Sequence, residues 1–142
     1  MHTSARNQFN GKITAIQLGA VNYEVEITLA GGQQIVAVVT RSSTASLGLA
    51  VGGEAFALVK ASWIILVTDA AGVRLSARNQ LAGVIDKVTT GAVNAEVVLT
   101  LDDGNQVVAI VTNDSVSGLG LAVGQRASAV FKASSVIVGV KA

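Results

Sequence analysis

The chain has 142 residues and a net charge of +1, and 51% of its residues are hydrophobic while 13% are charged. Soluble domains carry roughly 25% charged residues, so much of the outer surface must be apolar, and we expect other subunits to cover it. The near-neutral charge disfavours a nucleic-acid-binding tail, the lack of cysteine excludes disulfides and thiolate metal sites, and no apolar run approaches the roughly 20 residues of a membrane span.

The first half of the chain predicts short strands separated by turns. Residues 12–18, 23–29 and 34–39 are rich in Val, Ile and Thr, and the turn sequences GAVN and AGG separate them. The second half predicts the matching strands 84–88, 95–101 and 106–111.

A short helix is predicted after the third strand, within the sequence SSTASLGLAVGG that follows Arg41. Leu47, Leu49 and Val51 would form its apolar side, and glycines would end it. Two more strands, residues 55–60 and 63–67, would close the unit. Three strands, a short helix and two strands predict an all-β fold with OB-like five-stranded barrels.

The sequence is a tandem duplication. A shift of 72 residues aligns residues 4–68 with residues 76–140 without a gap, and about half of the aligned pairs are identical. We therefore predict a first repeat over residues 1–68, a short connector over 69–75 and a second repeat over 76–142. Each repeat is small enough to need packing against other repeats.

Only a few charged residues occupy the same aligned position in both repeats. In-register pairs of like residues are Arg6 with Arg78, Lys60 with Lys132, and Glu24 with Glu96, whereas the other charges have drifted. Two cations per repeat, set among hydroxyl and amide donors, suit a small anion, because guanidinium, ammonium, hydroxyl and backbone N–H groups can all donate to an oxyanion. The paired glutamates are interpreted as structural.

A purely structural interpretation stays open for the repeated pentapeptide SARNQ. Ser4 and Asn7 can satisfy backbone groups of a turn, and Lys60 can be an end-of-strand lysine that extends to water. A turn has no need of arginine, however, so the in-register repetition of Arg6 favours a site.

The motifs SARNQ, G-x-I, GAVNxEV, LGLAVG and KAS occur in this order in both halves, and in this they resemble the molybdenum-pterin-binding (Mop) domain family, in particular its tandem members, the molbindins. The resemblance covers nearly the whole chain. It implies an OB-like barrel per repeat, a homotrimer, and molybdate, or tungstate as its analogue, held between neighbouring repeats. Storage, buffering and delivery of the anion remain open.

The resemblance also implies the oxyanion-binding residues. One wall of a site would come from the SARN segment, and the other from hydroxyl and lysine residues of a neighbouring repeat. In the first repeat these residues are Ser4, Ala5, Arg6, Asn7, Thr40, Ser43, Lys60 and Ser62; in the second they are Ser76, Ala77, Arg78, Asn79, Thr112, Ser115, Lys132 and Ser134. Further anions on the three-fold axis would use the GAVN turns, through Val21, Asn22, Val93 and Asn94. Trp63, which aligns with Ser135, would make the two classes of site differ.

Other classes of function fit less well. An OB barrel that binds single-stranded nucleic acid needs a basic groove with stacking aromatic residues, and here only 4% of the residues are aromatic. A binder of sulfate-type oxyanions is a closer alternative. The sequence shows no repeated nucleophile, base and orienting group, so we expect no enzyme, no cofactor and no metal-cation site. Relatedness to the sensing half of a molybdate-dependent regulator would not imply DNA binding, because no helix-turn-helix sequence precedes the repeats. The amino terminus lacks a signal-peptide apolar segment, which predicts a cytoplasmic protein without a membrane partner.

Overall fold

The computed structural model describes residues 1–141. Within this range, ten strands form two antiparallel five-stranded sheets, and each sheet carries one short α-helix. The all-β fold predicted from the sequence, with two curled five-stranded OB-like units, is confirmed. The elements of the first half are β1 (Asn7–Gln17), β2 (Asn22–Leu29), β3 (Gln34–Thr40), α1 (Arg41–Leu47), β4 (Glu54–Val59) and β5 (Ile65–Val67).

The second half repeats this order. Its elements are β6 (Asn79–Thr90), β7 (Asn94–Leu101), β8 (Gln106–Thr112), α2 (Asn113–Leu119), β9 (Arg126–Phe131) and β10 (Ile137–Gly139). A 3₁₀ helix precedes the last strand of each half, at Ala61–Trp63 and at Ala133–Ser135.

Alternation along the strands places the core. In β2 every second residue is buried, with Val25 and Ile27 at 0% exposure, because successive side chains of a strand point to opposite faces. Gly11 in β1 and Gly83 in β6 lie so close to the neighbouring strand that a Cβ at either position would collide with the carbonyl of Thr28 or Thr100. This close approach accounts for the glycine of the repeated G-x-I motif.

The prediction that the strand over residues 63–67 closes its own repeat is wrong. β5 pairs with β9, and β10 pairs with β4, so the sheet orders are β10-β4-β1-β2-β3 and β5-β9-β6-β7-β8. The compact units are therefore residues 1–59 with 132–141, and residues 60–131. The two halves exchange their last strands, and the pattern of strands, which is the same in both repeats, does not separate this from self-closure.

The helices begin and end as the sequence indicates. The Thr40 hydroxyl caps α1 and Gly48 ends it with φ of 64°, a left-handed conformation that favours glycine. The predicted apolar side is only partly correct. Leu49 is 8% exposed, but Leu47 is 37% and Val51 is 64% exposed. The helix ends at Leu47, so the period that would have aligned these three residues is not maintained. In the part of the chain that the structure describes, no helix is long and apolar enough to cross a membrane.

Candidate oxyanion site

The SARN segment leads directly into the first strand of each half. Asn7 begins β1, lies opposite Val59 and donates from Nδ2 to the Val59 carbonyl at 3.2 Å, and it is only 2% exposed. Arg6, exposed, directly precedes this buried anchor, and Lys60, also exposed, directly follows Val59. In the second half, Asn79 is 1% exposed and lies opposite Phe131, and Arg78 and Lys132 take the corresponding positions.

The SARNQ segments also form local hydrogen bonds. The Ala5 N–H donates to the Thr3 hydroxyl at 3.1 Å. Gln80 donates from Nε2 to the carbonyls of Ala77, at 2.9 Å, and Leu75, at 3.2 Å. Gln80 therefore orders the turn before β6, whereas Asn7 anchors the start of β1 to the neighbouring strand β4.

Thr40 and Ser43 meet at the start of α1. The Ser43 N–H donates to Thr40 Oγ1 at 3.1 Å, and the two hydroxyls lie 2.8 Å apart. Thr112 and Ser115 reproduce this arrangement at 3.0 and 2.8 Å. These four residues are helix-capping groups, and each pair presents its hydroxyls at the end of a strand.

The GAVN turns lie beside these caps. Asn22 is opposite Thr40 and Asn94 is opposite Thr112 in the strand registers. The turn carbonyl of Val21 accepts from the Arg41 N–H at 2.9 Å, and Val93 and Asn113 pair in the same way at 2.8 Å. Val21 and Val93 are 72% and 71% exposed, so the candidate axis residues project outward.

The residue beside each turn was missed by the comparison of charges. Arg41 adjoins the turn in the first half and aligns with Asn113, whose Nδ2 donates to the Gly91 carbonyl at 2.9 Å and whose Oδ1 is buried without a hydrogen-bond partner. These two residues differ between the repeats, so they are not among the charged pairs that the repeats share. Their position next to Val21 and Val93 emerges only from the fold.

The structure groups the predicted residues differently from the sequence analysis, which placed Lys60 and Ser62 with Thr40 and Ser43. The 3₁₀ helix that contains Ser62 packs against β8, which ends at Thr112. The 3₁₀ helix that contains Ser134 packs against β3, which ends at Thr40. The strand exchange causes this grouping, because each 3₁₀ helix directly precedes an exchanged strand and therefore lies in the same unit as that strand.

Within one unit, the two predicted walls do not meet along the sheet. Asn7 stands at the start of β1, whereas the far end of β1 at Gln17 pairs with β2 near the turn that leads to Thr40. Ten residues of strand separate these ends by about 30 Å along the chain. Along the sheet, the SARN segment and the Thr–Ser cap of one unit therefore lie at opposite ends of β1.

Electrostatic contacts distinguish the two halves. The Lys60 ammonium lies 5.8 Å from the centroid of the Trp63 ring, and Ser135 occupies the equivalent position after Lys132.

A surface cleft of about 670 Å³ lies in the first unit beside Lys12, Glu54 and Phe56, and none of the predicted anion-binding residues is among those that line it. The described residues contain no group of three or more His, Cys, Asp and Glu side chains arranged to hold a metal ion.

Comparison with known proteins identifies the family of the chain. The TOBE domain profile matches residues 3–66 and 75–138. The chain belongs to the TOBE-domain family. Its two TOBE domains are of the Mop type, so the family resemblance seen in the motifs is confirmed.

The names of three proteins similar to this TOBE protein refer to molybdate or molybdenum. The chain is similar to the cytoplasmic molybdate-binding protein ModG, whose crystal structure has molybdate bound. The two sequences are 53% identical, the match covers 99% of this chain and 100% of that chain, and the two structures superpose with a TM-score of 0.95. The molybdenum transport protein ModE of Herbaspirillum seropedicae is 52% identical over 141 residues, and the molybdenum-pterin-binding protein MopA of Rhodobacter capsulatus is 44% identical over 138 residues. The two matches include 99% and 97% of this chain. The chain spans only about half of each relative, 52% of the relative's length.

Proposed function

We propose that this TOBE protein binds molybdate, or tungstate, at interfaces between repeats of a homotrimer, and that it stores or buffers the anion in the cytoplasm. The observation that carries the proposal is the placement of the duplicated cations. Arg6 and Arg78 each stand exposed beside a buried asparagine anchor, and each anchor pairs with the residue that precedes Lys60 or Lys132. The molybdate-bound relative ModG supports the identity of the anion.

The need for an interface follows from the separation of the walls. Within one unit the SARN segment and the Thr–Ser cap stand at opposite ends of β1 or β6. An oxyanion that loses its water requires donors on all sides. A neighbouring repeat of the assembly would supply the second set.

Exposed apolar residues support self-association. Val51 and Val123 are 64% and 67% exposed at equivalent positions, and Ile65 and Ile137 are 63% and 57% exposed. Most charged residues differ between the repeats, whereas these apolar residues are the same in both. Covering such residues is favourable, and two similar repeats per chain let three chains approximate six equivalent units around one axis.

A second candidate role is anion sensing on behalf of a partner. The relative in Escherichia coli strain K12, the DNA-binding transcriptional dual regulator ModE, is 40% identical over 140 residues, and this chain spans 52% of its length. A protein in which the same repeats sense molybdate would use the site proposed above, so the two roles share their chemistry.

The test combines anion binding with the mass of the assembly. Anion-free protein is titrated calorimetrically with sodium molybdate, and bound molybdenum is measured by elemental analysis after gel filtration. We expect saturable uptake and a light-scattering mass of three times the 14.3 kDa chain. Absence of uptake would refute the ligand, and a stable monomer that still binds molybdate would refute the interface.

A further inference from the structure

The exchange of β5 and β10 requires an explanation, because the two strands are equivalent in the repeats and contain only three residues each, ILV and IVG. Either strand offers β4 or β9 nearly the same backbone hydrogen bonds. Side chains must therefore decide which strand joins which unit.

Two cross-strand pairs differ in size in a complementary way. In the first unit Gly139 of β10 lies opposite Phe56 of β4, and in the second unit Val67 of β5 lies opposite Ser128 of β9. A Cβ at position 139 would collide with the ring carbons of Phe56. The large residue faces glycine, and the small residue faces valine.

Self-closure would mismatch both pairs. Val67 would lie opposite Phe56, where even one Cβ carbon has no room unless the half-buried ring turns out to solvent. Gly139 would lie opposite Ser128 and leave a gap. One overpacked pair and one underpacked pair both disfavour this arrangement.

We infer that Phe56 with Gly139, and Ser128 with Val67, are positioning residues that assign the last strand of each repeat to the other repeat. The inference has a consequence for the anion site, and that consequence alone rests on the proposed function. The segment after Lys132 leads through Ser134 into β10, so the Phe56–Gly139 pair fixes which lysine-bearing segment packs against the strand that ends at Thr40.

The experiment reads strand pairing with disulfides, since the chain has no cysteine of its own. Leu58 lies opposite Ile137, and residues directly opposite in antiparallel strands have Cα atoms within disulfide range. The variant Leu58→Cys/Ile137→Cys reports exchange, and the matched variant Leu58→Cys/Ile65→Cys reports self-closure. We expect efficient oxidation within the chain in the first variant and little in the second, as read on non-reducing gels and by peptide mapping.

The decisive step interchanges the large and small residues. Phe56→Ser with Ser128→Phe should shift the ratio of the two crosslinked forms toward self-closure by roughly tenfold or more, because self-closure then matches both pairs. Adding Val67→Gly and Gly139→Val should restore the wild-type ratio and the wild-type melting temperature.

Two outcomes would overturn the inference. The first is a crosslinking ratio that stays unchanged when Phe56 and Ser128 are interchanged. The second is a fourfold variant that melts as low as the double variant, which would show that size matching does not determine the assignment. Crosslinking needs no anion, so failure of molybdate binding would leave this readout intact and would affect only the proposed function.

Discussion

Arg6 and Lys132 offer a direct test of the anion site, because each is exposed and each is duplicated in register. Arg6→Ala and Lys132→Ala should each weaken a subset of the molybdate sites and leave the fold intact. A charge-assisted hydrogen bond contributes about 1.5–3 kcal/mol, which corresponds to a roughly ten- to hundredfold loss of affinity. Calorimetric titration measures the loss, and circular dichroism checks the fold.

Lys12→Ala is the matched control for these variants, since Lys12 aligns with Val84 and belongs to no duplicated pair. Its molybdate isotherm should equal that of the wild type. Unchanged stoichiometry and affinity in both Arg6→Ala and Lys132→Ala would mean that the repeated cations have a structural role.

Trp63 is the residue that should make the two classes of site unequal. Its ring lies 5.8 Å from the Lys60 ammonium, and a cation–π contact at an exposed site stabilises the ammonium position by about 0.5–1 kcal/mol. Trp63→Ser should therefore weaken the sites that use Lys60 by about two- to fivefold and bring the two classes together.

The reciprocal variant Ser135→Trp is the control, because it gives both repeats the sequence KASW. It should strengthen the sites that use Lys132. Isotherms in which Trp63→Ser leaves two separate classes unchanged would exclude this role of the ring.

At the level of strands and turns, the Asp102–Arg126 ion pair gives the second sheet a specific pH response. Arg126 donates to the two Asp102 carboxylate oxygens at 2.7 and 3.1 Å. These hydrogen bonds lower the pKa of Asp102 below its usual value of 3.8 and outweigh partial burial, which acts in the opposite direction, while the positive charge of Arg126 adds to the lowering. A lowered pKa in the folded state means that the stabilisation is present above the unfolded pKa and is lost as pH falls through the folded pKa.

Asp102→Asn should consequently melt slightly below the wild type at neutral pH, and the difference in melting temperature should disappear as the pH falls through the lowered pKa of Asp102. The difference will be small, because both side chains are more than half exposed. Asp86→Asn, on the neighbouring strand β6, controls for the loss of a negative charge. A melting-temperature difference that persists unchanged at low pH would assign the effect of Asp102 to something other than its ionised form.

Strand positions could largely be predicted from the sequence, and strand partners could not. Alternation of Val, Ile and Leu located β2, β3, β7 and β8 to within one residue. The polar starts of β1 and β6 were missed because Asn7 and Asn79 are buried anchors rather than turn residues. Exchange of β5 and β10 was invisible because duplicated halves carry the same strand signal, and the difference resides in single residues such as Phe56 and Ser128.

The site shows the same division. In-register charges identified Arg6, Arg78, Lys60 and Lys132 as candidates, and capping sequences explain Thr40 and Thr112. The grouping of hydroxyls with the lysine-bearing segments depended on the strand exchange and so could not be deduced from spacing. Arg41 and Asn113 lie beside the GAVN turns because their backbone N–H groups donate to the carbonyls of Val21 and Val93, which are about twenty residues earlier in the chain.

For the molecule as a whole, the donor set of the proposed site determines which anions it accepts. Molybdate and tungstate are tetrahedral dianions of nearly equal size, and near neutral pH their oxygens only accept hydrogen bonds. The guanidinium of Arg6 and the ammonium of Lys60 only donate, and we expect the hydroxyls of the site to direct their O–H groups toward the anion. Phosphate is partly protonated near neutrality, and its O–H group would lack an acceptor, which costs about 1–3 kcal/mol when buried. Sulfate carries no proton but is smaller, so a rigid site built for the larger anion would hold it with longer and weaker bonds.

The assembled protein should therefore bind molybdate and tungstate with similar affinity, sulfate much more weakly, and phosphate most weakly of all. Calorimetric titration of anion-free protein with each sodium salt at fixed ionic strength would establish the order, since screening then affects all four anions alike. Raising the pH from about 6 to about 8 should narrow the gap between phosphate and sulfate, because phosphate loses its second proton over this range while sulfate is unaffected. Phosphate that binds as tightly as molybdate would show that the site contains an acceptor, and would contradict a donor-only shell around the anion.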